Sequence, residues 1–286
     1  MTEDPFVVHR GLLFTVAYEM LGSAADAEDV LQETWLRWAG VDRSQVHDPR
    51  AYLVRAVTRQ ALNRMRTLAR RREDYVGEWL PEPLLTHPDV ADDVELAENV
   101  SIAMLTVLET LGPVERAVFV LREVFDMPYD EVAGAVGKTP AAVRQVARRA
   151  RDHVAARQPR VRVSRSEHRA VVDRFVAALH TGRIQDLMEI MAPDVVLVAD
   201  GGGITAAAPA PVHGAELVAT MLAATDRTAY KTTTVCLNGA PAIRIAADSG
   251  GATVSFLIEN GRITRIYATS NPQKLTRLDE PAHLTR

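Results

Sequence analysis

Apolar residues along this chain follow two different periods, and the change falls a little past its middle. Phe6, Leu13, Val16, Ala17, Met20 and Leu21 keep the three-and-four spacing of an amphipathic helix, which Gly22 stops. A second helix opens at Ala25-Asp26 and carries Ala27, Val30, Leu31, Thr34, Trp35 and Trp38 on the same period. A third begins at Asp48-Pro49, with Tyr52, Leu53, Ala56, Val57, Ala61, Leu62 and Met65 inward. Helical patterning returns near Val94, runs through Leu105, Leu108 and Leu111, breaks at Gly112-Pro113 and resumes over Val114–Phe125. Beyond Arg157-Gln158-Pro159 a helix is expected over Glu167–His180. There the period drops to two: Asp194–Ala199, Lys231–Leu237, Thr253–Ile258 and Ile263–Ala268 are β-branched and alternating, hence strands. A helix over Gly214–Ala224 separates the first two, and Asn260-Gly261 turns between the last two. The reading is helical first, then an α+β domain with a sheet curled over helices.

Between the two regimes lies a helical pair with its own signature. In Tyr129–Arg151, Val132, Ala133 and Val136 give a first helix an apolar stripe, and Gly137 supplies the turn. Thr139-Pro140 restarts a helix as N-cap and first helical position. Val143, Val146, Ala147 and Ala150 face inward, which leaves Arg144, Gln145, Arg148 and Arg151 outward. A buried helix, a fixed elbow and a second helix with long donors are what a helix-turn-helix needs. An ordinary helical hairpin with a solvated basic face has the same pattern.

Composition alters this picture in one respect. With 286 residues, 47% hydrophobic and 24% charged, the chain is a soluble multidomain protein, and its net charge of −4 does not suggest a nucleic-acid binder. The charge is segregated, however. Arg50–Arg72 contains no acidic residue, and Lys138–Arg160 contains only Asp152, while Asp89, Asp92, Asp93, Glu95 and Glu98 form an acidic stretch between them. The lone Cys236 excludes an internal disulfide and a multi-cysteine zinc site. No signal-peptide pattern or membrane-length apolar run is present, so the expected location is cytoplasmic, away from membranes.

The order of motifs resembles a known family. Asp26–Trp38 (DAEDVLQETWLRW) resembles the core-polymerase-binding part of the second conserved region of bacterial sigma factors. Arg50–Arg72 resembles the helices that read the promoter's minus-ten element. Residues from Leu111 to Val154 resemble the fourth region, whose helix-turn-helix reads the minus-thirty-five element. The remainder resembles a SnoaL-like fold, and the pairing is that of extracytoplasmic-function sigma factors whose fused domain regulates them in cis. Trp79–Leu84 (WLPEPL) and Asp200-Gly201-Gly202-Gly203 also match that subgroup, though Ile204 stands where it usually has a lysine. The implied fold is multidomain: two all-α sigma domains, the second with the helix-turn-helix, and an α+β SnoaL-like cone with a curved mixed or antiparallel sheet. The expected domains are 1–72 for region 2, 73–100 as a Pro-rich then acidic linker and 101–157 for region 4. A short linker at 158–165, a regulatory domain over 166–272 and a tail over 273–286 complete the chain.

The resemblance assigns Asp26, Glu28, Asp29, Gln32, Glu33 and Trp38 to core RNA polymerase, with Trp35 in the core. Arg55, Arg59, Asn63 and Arg66 share one face of the third helix and suit the melted minus-ten strand, with Arg70 and Arg71 on phosphates. In region 4, Arg144 and Arg148 are the base readers, since a guanidinium pairs bidentately with guanine, and Gln145 lies beside them. Lys138, Thr139 and Arg149 are phosphate contacts. Trp79, Leu80, Pro81, Glu82, Pro83 and Leu84 are expected to dock on the C-terminal domain. Gly201–Gly203 is expected to bend tightly after Asp200 and is no phosphate loop, because no Gly-Lys-Ser/Thr follows. Asp200, His213, Tyr230, Arg265 and Tyr267 are candidates to line a C-terminal cavity for a small-molecule ligand, without forming an acid–base pair or metal triad. No catalytic residue, metal or cofactor is expected. Two other readings remain open: a stand-alone helix-turn-helix regulator with a ligand-binding domain, and a cyclase- or hydrolase-type enzyme fused to a DNA-binding module.

Overall fold

The computed structural model of the protein describes residues 4–87, 94–157, 163–224, 230–248 and 250–285. They fall into two compact units, a helical one of residues 1–73, 104–158 and 283–286 and an α+β one of residues 74–103 and 159–282. Nearly all of the expected linker thus belongs to the α+β unit.

Helices α1 (Pro5–Val8), α2 (Arg10–Leu21), α3 (Ala24–Ala39) and α4 (Pro49–Glu73) lie in the helical unit. The chain then forms α5 (Val94–Val100) and α6 (Ile102–Leu108), and returns to the helical unit for α7 (Pro113–Phe119), α8 (Tyr129–Val136) and α9 (Pro140–Ala155). The run expected as one helix from Val94 is therefore interrupted at Ser101. The Val114–Phe125 helix gives way to a π-helical turn over Val120–Val124. Gly22 closes α2 at φ 66°, and the Ser23 hydroxyl caps α3 by accepting the Asp26 N–H at 3.2 Å. Every residue of α2 from Leu12 to Leu21 is buried, so it is not the half-exposed helix its spacing implied. The reason is that α3 and α4 cover it from one side, and α7 and the π turn from another.

The α+β unit adds α10 (Arg165–Thr181), α11 (Ile184–Ile190) and α12 (Ala215–Ala223) to a six-stranded sheet. The strands are β1 (Met191–Asp200), β2 (Val212–His213), β3 (Tyr230–Leu237), β4 (Ala240–Ala247), β5 (Gly250–Glu259) and β6 (Arg262–Thr269), in the order β2-β1-β6-β5-β4-β3. β1 and β6 are parallel and the other pairs antiparallel, so the sheet is mixed. Its core joins α10 to the sheet, with the Phe175 and Phe256 rings 5.0 Å apart among Val172, Leu187, Val218 and Ile243. Three elements escaped the sequence reading, α11, the short β2 and β4. β4 (APAIRIAA) lacks clean alternation, but its turn was legible: Asn238 and Gly239 sit at φ 52° and 76°, as Asn260 and Gly261 do at 52° and 71°.

Candidate functional site

The helix-turn-helix is built as its residues dictate. Gly137 takes a left-handed φ of 69°, where a side chain would be strained, and the Thr139 hydroxyl caps α9 by accepting the Ala142 N–H at 3.3 Å. Val143, Val146, Ala147 and Ala150 are buried, and Lys138, Thr139, Arg144, Gln145, Arg148 and Arg149 are all exposed. The Arg144 guanidinium lies over the Tyr129 ring, 5.5 Å from its centre, which stiffens a long side chain. Two guanidinium groups one helical turn apart form a surface able to meet base edges and phosphates.

The row on α4 is placed differently. Arg55, Arg59, Asn63 and Arg66 are exposed at their expected spacing, but region 4 lies against the first two. Arg59 Nη2 donates to the Gly134 carbonyl on α8 at 2.8 Å. The Arg55 side chain passes 3.8 Å from where a Cβ on Gly134 would stand. Asn63 accepts from Arg66 at 3.2 Å. The side chains of Arg70 and Arg71 lie outside the described residues. As packed, α8 occupies the N-terminal half of the proposed minus-ten surface.

The acidic row on α3 is held by its own chain. Arg64 bridges Asp26 and Asp29 at 2.6 and 2.7 Å, Arg10 pairs with Glu28 at 2.7 Å, and the Gln60 amide donates to Glu33 at 2.9 Å. Surface pairs of this kind contribute about 0–1 kcal/mol each, so a partner can displace them. Gln32 is exposed beside them. Trp38 does not belong to this face. It is 1% exposed, its indole N–H donates to Asp4 at 3.0 Å, and its ring packs on Tyr52. Ala27, Leu31, Thr34 and Trp38 share one stripe of the helix. Trp35, expected in the core, lies 100° away from Thr34 and is 38% exposed against Phe6.

In the α+β unit the proline-rich segment is fastened to the sheet at two places. Leu80, Pro81, Glu82, Pro83 and Leu84 are buried, and Leu80 packs with Ile102, Val198 and Tyr267. At the first place, Asp200 is wholly buried at the end of β1 and accepts four hydrogen bonds: Tyr75 Oη at 2.6 Å, Lys274 Nζ at 2.7 Å, Leu80 N–H at 2.8 Å and Gly202 N–H at 3.1 Å. Lys274 also donates to the Leu80 carbonyl, and its ammonium stands 4.0 Å from the centre of the Trp79 ring. Burial, reinforced by Asp200, raises the Tyr75 phenol above its ordinary range. Gly201–Gly203 makes the tight bend: Gly202 and Gly203 have φ of 62° and 70°, and a Cβ on Gly203 would meet Val76 at 3.0 Å. Ile204 is 55% exposed, and the cation on Asp200 is Lys274. At the second place, Leu84 N–H donates to Asn238 Oδ1, Asn238 Nδ2 donates to the Val100 carbonyl (both 2.9 Å), and Thr86 N–H donates to the Cys236 carbonyl at 3.0 Å.

Tyr75, Asn238, Lys274 and Asn271, whose Nδ2 donates to Tyr75 Oη at 2.8 Å, went unnoticed in the sequence. Only Asn238, in an Asn-Gly turn, carried a local signal; Lys274 is one lysine among many polar residues until the fold brings it to Asp200. The cavity candidates are not gathered. Asp200 and Tyr267 serve the linker, Arg265 is exposed, and Tyr230 borders the main core. His213 lines an open groove with Met188, Glu216 and Thr220. Among the described residues no helix is long and apolar enough to cross a membrane, and no cluster of His, Cys, Asp or Glu is placed to hold a metal.

Residues 6–71 match Sigma-70 region 2, and residues 101–154 match Sigma-70, region 4. The chain is 40% identical over 223 residues to the ECF RNA polymerase sigma factor SigJ of Mycobacterium tuberculosis, covering 76% of this chain and 71% of that one. It is 32% identical over 272 residues to the probable ECF RNA polymerase sigma factor SigI of the same organism, covering 93% and 92%. The crystal structure of SigJ superposes with a TM-score of 0.75 at 31% identity, over 96% of this chain and 98% of that one.

Proposed function

Because the chain belongs to the extracytoplasmic-function RNA polymerase sigma factors, which direct transcription initiation from chosen promoters, we propose that its control is built into the same polypeptide. The helical unit carries regions 2 and 4, and the α+β unit is the SnoaL-like domain. In this reading the packed helical unit is a resting state, and the SnoaL-like domain biases it by holding the linker.

The contact of α8 with α4, centred on Arg59 and the Gly134 carbonyl, carries the proposal. The two promoter elements are roughly 25 base pairs apart, on the order of 80 Å of duplex at about 3.4 Å per pair. Helices in contact cannot serve both elements at once. The 30 residues between the two sigma regions reach at most about 100 Å fully extended, and fastening Tyr75–Thr86 to the sheet fixes that part of the linker in place, which restricts how far the regions can part. Letting go of the linker and parting the regions are then two aspects of one transition, which a ligand or partner shifts by its differential affinity. Core polymerase would meet Asp26, Glu28, Asp29, Gln32 and Glu33 on α3. Arg55, Arg59, Asn63, Arg66, Arg70 and Arg71 would take the minus-ten strand. Lys138, Thr139, Arg144, Gln145, Arg148 and Arg149 would take the minus-thirty-five duplex.

The test compares promoter binding by the full-length protein with and without core RNA polymerase, followed by run-off transcription. The proposal expects weak DNA binding alone, promoter-specific initiation with core, and Asp200→Ala altering initiation while leaving the α3 face intact. Tight, sequence-specific binding to duplex DNA without polymerase would favour a stand-alone regulator.

A further inference from the structure

The contact between the two sigma regions buries a carboxyl group that no DNA or polymerase role explains. Glu19 of α2 and Arg116 of α7 are 0% and 1% exposed. Arg116 donates from Nε to the Glu19 main-chain carbonyl at 2.9 Å and from Nη1 to Glu109, its neighbour in region 4. Its Nη2 and both carboxyl oxygens of Glu19 are buried without a hydrogen bond. An ionised carboxylate in such a place is costly, and it responds by holding a proton.

The surroundings leave little else to influence it. Among the described residues, every buried position of α1, α3, α4 and the π turn is uncharged. Among the described residues, the charge that acts on the Glu19 carboxyl is Arg116, and Arg116 in turn pairs with Glu109 and feels Tyr18 of α2. Separating the regions would expose Glu19 to water, where an isolated carboxyl is ionised at neutral pH.

We propose that Glu19 makes the closure of region 2 on region 4 proton-linked: its carboxyl is neutral while the regions are packed and ionised once they part, so opening releases one proton. This rests on the reading of the packed helical unit as a resting state. Burial lifts Glu19 to about 8 against the opposing pull of Arg116, while Arg116 is lowered to about 9 by the same burial. The sign follows. The proton favours the closed form fully below about 4.5, and that preference fades as pH rises and is gone above about 8. Arg116 stays charged in both forms below about 9, so it adds no slope in that window.

The experiment uses the full chain with Cys236→Ser and dye pairs at Gln45→Cys and Ala141→Cys, exposed positions in region 2 and region 4. Energy transfer is followed from pH 6.5 to 8.5 with half-saturating core RNA polymerase, in this protein and in its Glu19→Gln derivative. Glutamine has the shape of the protonated acid but cannot ionise, so it should fold and close. The ratio of separated to packed molecules, taken relative to Glu19→Gln, should rise about tenfold per pH unit and level off near pH 8, on the order of thirtyfold in all. Equal slopes in the two proteins, or none in either, overturn the role of Glu19 while polymerase-driven separation keeps the resting-state reading. If polymerase produces no separated population at any pH, both ideas fall.

Discussion

Asp200→Ala is the substitution on which the linker argument depends most. The carboxylate is wholly buried and receives donors from Tyr75, Leu80, Gly202 and Lys274, all at 2.6–3.1 Å. Truncation leaves a buried main-chain N–H at Leu80 and an ammonium at Lys274, 12% exposed, without their shared acceptor. Breaking one side of a buried charged pair costs roughly 3–5 kcal/mol. At roughly 2–4 °C per kcal/mol for a unit of this size, the melting temperature of the α+β unit should fall by on the order of 6–20 °C. Asp200→Asn keeps an acceptor for Leu80 and loses the charge facing Lys274, so it should cost about 1.5–3 kcal/mol. Calorimetry of the full-length protein gives the stability. Limited proteolysis, scored for cuts between Tyr75 and Thr86, reports whether the segment has come off the sheet. A loss below about 1 kcal/mol would refute the idea that Asp200 fastens the linker. So would a large loss with the segment still protected.

Asn238→Ala should cost about 2–4 kcal/mol, because the side chain bonds both Leu84 and Val100 from a left-handed turn, whereas Asn260→Ala, exposed in a matching turn, should cost about 1; urea unfolding of the two separates linker anchoring from turn strain. Arg144→Ala should relax base preference at one position of the minus-thirty-five element and cost roughly 1–3 kcal/mol there, measured by transcription from a promoter library; an equal loss on every sequence would mean it touches only phosphate. Burial depresses His168 to about 4, so the stability it gives as a neutral group is present above about pH 6.5 and is lost as pH falls toward 4. His168→Gln should flatten that part of the pH–stability curve, and an unchanged curve would show that another group causes it.

Local chemistry and periodicity determined much about this protein before any fold was known. The helix-turn-helix was legible because a turn glycine, an N-cap threonine and an apolar stripe act within a dozen residues, and the structure places all six region 4 candidates in solvent. The helical-then-α+β division was legible because the hydrophobic period changes from 3.6 to 2. Where two patterns competed locally, the reading failed: Trp35 and Trp38 both fit an apolar stripe, and only packing against Tyr52 and Asp4 selected Trp38 for the core. Three features were decided by tertiary structure alone. The acceptor for Lys274 lies 74 residues away, the residue beside Arg59 lies 75 away on another helix, and Glu19 gains Arg116 across 97 residues. Sequence patterns record which face of an element avoids water. They do not record which element arrives to cover that face, because that choice rests on shape and charge complementarity summed over the whole packed chain.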